Sequence, residues 1–215
     1  MMAGPKPQSL IHRLFGGIGQ QLSALALSCA LSLLGHIAQA ADDTLVKFET
    51  NYGDITLKLF TEKSPKTVEN FLNYVDSGHY DKTIFHRVIS NFMIQGGGFD
   101  VNRVEKPTGN PVANESRNRL HNVRGTIAMA RTNDPDSATA QFFINQRSNL
   151  RLDWAPGKLG YTVFGEVIDG LSVVDMISIT ETSQAVFTTD QGRAPFSDVP
   201  IEPVILLRAS RVVAQ

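Results

Sequence analysis

The sequence has one cysteine and one tryptophan among 215 residues, and only 19% of its residues are charged. The cysteine, Cys29, lies within the first 40 residues, so a chain cut after them contains no thiol. Such a chain forms no disulfide and has neither thiol catalysis nor cysteine–metal sites. Residues 22–34 carry no charge, but this stretch is shorter than the ~20 apolar residues that a membrane-spanning helix needs.

The first 40 residues have the pattern of a cleavable signal peptide. Lys6 and Arg13 precede the uncharged stretch, and Ala38 and Ala40 are small residues at the two positions that a signal peptidase reads. We therefore expect a cut after Ala40, a mature chain of residues 41–215, and a periplasmic location without stable membrane association. An uncleaved anchor helix is the alternative, and the short apolar stretch disfavours it.

Charge and periodicity exclude several classes of protein. Loss of Lys6 and Arg13 changes the formal net charge from −1 to −3, so no basic surface remains to suggest nucleic-acid binding. No period of 20–50 residues recurs, which excludes a repeat protein. With 42% hydrophobic residues, the chain can form one full core.

The hydrophobic pattern predicts mostly strands with two helices. Alternation predicts a hairpin at 45–49 and 55–59, and a helix with Ser64 as its cap and Pro65 in its first turn, ended by Gly78. Further strands are predicted at 84–89, 92–95, 126–130, 141–145, 162–167 and 204–213, with a short helix at 171–177 and a long loop at 106–120. This order favours an antiparallel barrel capped by helices, although periodicity alone does not distinguish a barrel from a sandwich.

The most informative segment is 85–99, because it places one arginine, Arg87, among apolar residues. Burying a permanently charged guanidinium next to an apolar wall is costly unless the charge has a task or a partner. The segment reads F-H-R-V-I-S-N-F-M-I-Q-G-G-G-F, and the chain later contains M-A-R-T (129–132), Q-F-F-I-N (141–145) and V-F-G (163–165). In this order the motifs resemble the cyclophilin family of peptidyl-prolyl cis-trans isomerases. The resemblance covers about residues 46–207.

The resemblance implies a fold, an activity and a set of site residues. The fold is all-β-dominated: a closed antiparallel β-barrel capped by two α-helices, with a substrate groove on its outer wall. The activity is rotation of X–Pro bonds in unfolded or flexible polypeptides, by a monomer that uses no cofactor or metal. Arg87, Phe92 and Gln95 match the catalytic set. The residues that match the substrate-binding set are Met93, Ala130, Arg131, Thr132, Gln141, Phe143, Leu152 and Tyr161.

Some of these residues also admit ordinary structural roles. A phenylalanine or methionine in a strand is core by default, and we expect Phe85 and Phe142 to point inward. A buried glutamine can serve the fold alone. His86 and His121 lack the paired spacing of metal ligands, so we expect them to be structural histidines with satisfied hydrogen bonds. The glycines at 96–98 are not a phosphate loop, because no Gly-Lys-Ser/Thr follows them.

The chain departs from the family pattern at the edge of the expected groove. Many cyclophilins carry tryptophan or phenylalanine before a Leu-Asp pair, whereas Arg151 precedes Leu152-Asp153 here and Trp154 follows the pair. Tyr161 replaces a histidine found in many relatives, and Arg131 and Thr132 stand where asparagine and a small residue are common.

Two other functions fit part of this pattern. A non-catalytic peptide-binding module or holding chaperone could use the same groove, but binding alone does not require the guanidinium. A small-molecule carrier would need an open barrel interior, whereas the many large apolar residues suffice to fill a small barrel.

Overall fold

The structure is a computed structural model that describes residues 44–212, together with Met1, Met2 and Gly4. The expected signal peptide and the cut after Ala40 lie outside the described residues.

Residues 44–212 form eleven strands and two helices, which we number along the chain. The strands are β1 (Leu45–Thr50), β2 (Gly53–Leu59), β3 (Thr83–Ile84), β4 (Arg87–Ile89), β5 (Met93–Gly96), β6 (Thr126–Met129), β7 (Phe142–Asn145), β8 (Val163–Asp169), β9 (Thr182–Thr189), β10 (Gly192–Pro200) and β11 (Ile205–Val212). The helices are α1 (Pro65–Asp76) and α2 (Leu171–Ser178), and short 3₁₀ turns occur at Ser116–Asn118 and Leu150–Leu152. Within 44–212, neither helix is long and apolar enough to cross a membrane.

Nine strands form one antiparallel sheet in the order β3-β11-β1-β2-β8-β6-β7-β5-β4. This arrangement confirms the predicted antiparallel β-barrel architecture, with one correction: the barrel is not fully closed, because no hydrogen-bonded ladder joins the edge strands β3 and β4. Phe85 and His86 separate these two strands in the chain, and each strand pairs elsewhere: β3 pairs with β11, and β4 pairs with β5. The Phe85 amide instead donates to the Val204 carbonyl, at 2.9 Å.

Aromatic side chains fill the interior of the barrel. Phe48, Phe71, Tyr80, Phe142 and Phe164 are fully buried and pack against one another, with neighbouring ring centroids 5.0 to 6.4 Å apart. The expected inward positions of Phe85 and Phe142 are confirmed, at 1% and 0% exposure. A filled interior removes the lumen that the small-molecule carrier requires.

Helix α1 begins at Pro65, as the sequence predicts, but its cap differs from the prediction. The Ser64 side chain makes no capping hydrogen bond and donates to the Val163 carbonyl instead, at 2.8 Å. The Glu115 carboxylate accepts from the backbone amides of Lys66 and Thr67, at 3.2 and 2.8 Å. A residue from the long loop therefore satisfies the free amides of the first turn, where the helix dipole also favours a negative charge.

The hairpin of β9 and β10 is absent from the sequence prediction. Residues 185–189 are mostly β-branched or aromatic and precede an Asp-Gln-Gly turn, which is a strand-and-turn signal. Pro195 lies within the second strand and lowers its strand propensity. The hairpin buries Phe187 and Val199 against Ile84 and Phe99, in a small apolar cluster separate from the barrel core.

Candidate active site

A groove of about 260 Å³ lies on the outer wall of the sheet. Ten of the eleven predicted site residues line it, and Thr132 is the exception. The ten are Arg87, Phe92, Met93, Gln95, Ala130, Arg131, Gln141, Phe143, Leu152 and Tyr161. His86 and Phe196, which the prediction did not include, line it as well.

The strand register explains why these residues meet. Arg87 on β4 is the antiparallel partner of Gln95 on β5, and Gln95 is in turn the partner of Phe143 on β7. Phe143 pairs with Ala128 on β6. Since side chains alternate across a sheet, Phe143 faces the groove whereas its neighbour Phe142 faces the core.

The floor of the groove is apolar and closely packed. Met93 and Phe143 are 2% and 4% exposed, and they pack with Ala128 and Val163. The Tyr161 ring lies edge-on to Phe143, with 5.6 Å between the ring centroids. These residues, with Phe92 and Leu152 at the rim, form a concave apolar surface of the kind that receives a small ring.

Arg87 lies at the edge of this apolar floor. Its side chain is 42% exposed, and its Nε atom lies 3.8 Å from a carboxylate oxygen of Asp198. Among residues 44–212, the guanidinium has no hydrogen bond or ion pair other than this one. Its terminal amino groups are therefore available to a bound molecule.

The two glutamines of the groove bind each other. The Gln95 side-chain amide donates to the side-chain oxygen of Gln141, at 3.0 Å, and neither glutamine hydrogen-bonds Arg87. Gly98 makes room for this pair, because a Cβ atom at position 98 would lie 2.6 Å from the Gln141 side chain. The glycine run thus serves close packing beside the groove.

Residues 45–208 match the family model described as cyclophilin type peptidyl-prolyl cis-trans isomerase/CLD. The chain belongs to this family. It is 51% identical over 163 residues to peptidyl-prolyl cis-trans isomerase B of Escherichia coli, covering 74% of this chain and 98% of that protein. It is 43% identical to peptidyl-prolyl cis-trans isomerase A of Dickeya dadantii, covering 87% of this chain and 95% of that protein.

Solved structures agree with this assignment. A cyclophilin-type isomerase of Cryptosporidium parvum superposes with a TM-score of 0.65 at 28% identity, covering 80% of this chain and 99% of that one. A second structure of that protein, determined in the presence of the dipeptide Ala-Pro, has a TM-score of 0.63. The chain is therefore a cyclophilin-type peptidyl-prolyl cis-trans isomerase, which acts on proline-containing polypeptides.

One edge of the cyclophilin groove is fixed by Arg131. Its guanidinium donates to the carbonyls of Thr132, Leu159 and Gly160, at 2.8, 2.9 and 3.3 Å, and lies 4.5 Å from the centre of the Tyr161 ring. These bonds hold the loop that carries Tyr161. Thr132 does not line the groove, and its hydroxyl bonds Ser137 within a surface turn, at 2.8 Å.

At the opposite rim, an arginine covers the position of the expected aromatic residue. The Arg151 guanidinium lies 4.6 Å from the centre of the Phe92 ring, a cation–π arrangement. Trp154 is 37% exposed and does not line the groove, so it does not replace the family's groove-edge aromatic.

His121 pairs with a carboxylate at the surface. His121 Nδ1 lies 2.8 Å from the Asp153 carboxylate, which also accepts from the Asn122 amide. Burial alone raises the pKa of Asp153, but the hydrogen bonds from Asn122 and His121 outweigh burial and hold this pKa below its ordinary value. Within residues 44–212, no cluster of three His, Cys, Asp or Glu side chains could hold a metal ion.

Three residues near the groove were missed by the sequence interpretation as site members. His86 was expected to be structural only, and Phe196 and Asp198 lie on the unpredicted hairpin. The sequence carries a weak signal for the hairpin but no signal that the hairpin lies beside the groove. Asp198 and Arg87 are 111 positions apart, and only the folded chain brings them together.

Proposed function

We propose that Arg87 catalyses rotation by donating a hydrogen bond to the proline nitrogen in the twisted transition state. The observation that carries this proposal is a permanent cation with free donors at the edge of an apolar concavity formed by Phe92, Met93 and Phe143. The concavity receives the proline ring, with Leu152 and Tyr161 as its other walls. The peptide backbone before the proline contacts Ala130, Arg131 and Gln141, whereas Thr132, which lies outside the groove, has no part in this contact.

The chemistry follows from peptide-bond resonance. The barrier of about 18–20 kcal/mol comes from conjugation of the nitrogen lone pair with the carbonyl. As the bond twists, the nitrogen becomes pyramidal and its lone pair can accept a hydrogen bond. A fixed cationic donor at this position therefore stabilises the transition state more than either planar ground state.

The rate acceleration that an isomerase needs can be supplied by one charged donor together with a groove that binds the peptide in a twisted conformation. Uncatalysed exchange takes ~10–100 s, so millisecond turnover needs roughly 10⁴-fold acceleration, or about 5.4 kcal/mol. One charged donor supplies about 3–4 kcal/mol of transition-state stabilisation. Gln95 and Gln141, held by their mutual hydrogen bond, contribute by binding the peptide in a twisted pose. No covalent intermediate forms.

The pH dependence of turnover tests this mechanism. Because a guanidinium stays protonated and no group exchanges a proton with the substrate, kcat should be constant from about pH 6 to about pH 9. Exchange NMR on a short prolyl peptide measures kcat at each pH without a coupling protease. A bell-shaped profile would indicate general acid–base chemistry and contradict the proposal, and peptide binding without exchange would indicate a holding module.

We further propose that the enzyme acts on exported, folding proteins in the periplasm, as a monomer. Support comes from the signal-peptide pattern of residues 1–40 and from similarity to bacterial isomerases. Expression of the whole gene in a Gram-negative host, followed by osmotic-shock fractionation and intact-mass measurement, tests the location. A periplasmic product that begins at Ala41 is expected, whereas a full-length chain in the cytoplasm would contradict it.

A further inference from the structure

The hairpin β9–β10 borders the groove on its Arg87 side. In the sheet, β6-β7-β5-β4 are successive neighbours, and β10 packs beside β4. Ala130 and Arg131 follow β6 and so lie at the opposite edge of this four-stranded wall. A peptide that enters over Ala130 and places its proline ring on Phe143 therefore leaves the groove toward the hairpin.

An irregularity in β10 places two of its side chains in the groove region. The pairing of β10 with β9 shifts between Phe196 and Val199, so one extra residue bulges from β10. Asp198 lies in this bulge with φ of +60°, a left-handed conformation that aspartate tolerates better than most residues. Phe196 lines the groove and the Asp198 carboxylate reaches Arg87.

Aromatic packing fixes the hairpin to the strand that carries Arg87. The His86 ring lies 4.8 Å from Phe99, Phe99 lies 4.8 Å from Phe187, and Phe187 lies 4.6 Å from Phe196, measured between ring centroids. Since His86 directly precedes Arg87, the bulge and the guanidinium belong to one packed unit. The hairpin is thus packed against β4 and forms a wall of the groove.

We propose that this hairpin completes the active site: Asp198 orients Arg87, and Phe196 contacts the residue that follows the proline. The Asp198 carboxylate lies 3.8 Å from the Nε atom of the guanidinium, so the ion pair is made through Nε and not through a terminal amino group. A pair between two half-exposed side chains contributes little to folding stability, and within this proposal its effect is on the orientation of the guanidinium. This inference rests on the proposed role of Arg87 in catalysis.

A double-mutant cycle tests the positioning role of Asp198. We expect Asp198→Asn to lower kcat by about three- to tenfold, with KM changed less than about twofold, because misorientation affects the transition state and not peptide binding. In an Arg87→Ala background the same substitution should have no further effect on kcat. A purely structural role would lower kcat equally in both backgrounds, and that result would overturn the inference.

Asp190→Asn is the matched control, because this carboxylate lies in the turn of the same hairpin and accepts a hydrogen bond from its neighbour Gln191. It should leave kcat and KM unchanged. If Arg87→Ala itself retained full turnover, the proposed mechanism would fail whatever Asp198 does. If Arg87→Ala were slow and Asp198→Asn fully active, only the present inference would fail.

The contact of Phe196 is tested with two peptides that differ only after the proline. Phe196→Leu, which keeps an apolar side chain in the cluster, should raise KM about three- to fivefold for a peptide with phenylalanine after proline. It should change KM much less for a peptide with glycine there, with kcat constant for both. Equal KM changes for both peptides, or none for either, would contradict this contact.

Discussion

Replacing Arg87 with alanine should lower kcat for a prolyl peptide by roughly 10²- to 10³-fold, the usual cost of removing one transition-state donor. KM should change little, because the ring binds to Phe92, Met93 and Phe143, which the substitution leaves in place. The free energy of unfolding should change by less than about 1 kcal/mol, since the Arg87 side chain is 42% exposed and its ion pair with Asp198 is solvated.

Exchange NMR gives kcat for this comparison, and urea unfolding gives the stability. Arg211→Ala is the matched control, because Arg211 is also a half-exposed arginine paired with one aspartate, Asp76, on another part of the barrel. Its kcat should equal that of the unmodified chain. Arg87→Lys should recover little, because an ammonium lacks the guanidinium fork. Turnover of Arg87→Ala within about threefold of the original would contradict the mechanism.

Acidification should destabilise the fold through His86. This side chain is 1% exposed and lies beside Arg87, and among residues 44–212 its Nδ1 atom has no hydrogen-bond partner. Burial lowers the pKa of His86 to about 3, and the charge of Arg87 acts in the same direction. In the unfolded chain the pKa of this histidine is about 6.5, so the unfolded chain binds a proton more readily than the folded chain does.

The sign follows from this difference. Protonation favours the unfolded chain, so the full stability is present above about pH 6.5 and is lost as the pH falls toward 3. The slope is about 1.4 kcal/mol per pH unit, or about 3 kcal/mol between neutral pH and pH 4.

Urea unfolding of the original chain and of His86→Leu, measured at several pH values from neutral to pH 4, isolates this contribution. Hydrogen-bond partners lower the pKa values of Asp76, Asp153 and Asp175. Protonation of these three carboxylates in acid therefore lowers the free energy of unfolding in both proteins. The difference between the two curves therefore reports His86. The free energy of unfolding of the original chain minus that of His86→Leu should fall steadily on acidification, and two parallel curves would show that His86 does not control acid stability.

The local sequence pattern was sufficient to predict a strand or helix where the hydrophobic periodicity of that segment is clear. Alternation located the hairpin of β1 and β2, and the apolar spacing after Pro65 located α1. It failed where distant residues compete for a group: Ser64 is a good cap by type, yet the carboxylate of Glu115 occupies the free amides and Ser64 bonds Val163 instead. The strand β10 was missed because Pro195 and its exposed polar residues conceal the alternation.

From the sequence by itself, strand alternation predicted the inward position of Phe142, and the resemblance of an ordered set of motifs to the cyclophilin family predicted the barrel-like fold and ten groove residues. Only the tertiary structure decided what surrounds Arg87. Its ion-pair partner Asp198 and its neighbour Phe196 come from β10, which lies more than a hundred positions further along the chain and has a bulge beside the groove. Such contacts depend on how separate elements pack, which no local pattern of residues encodes.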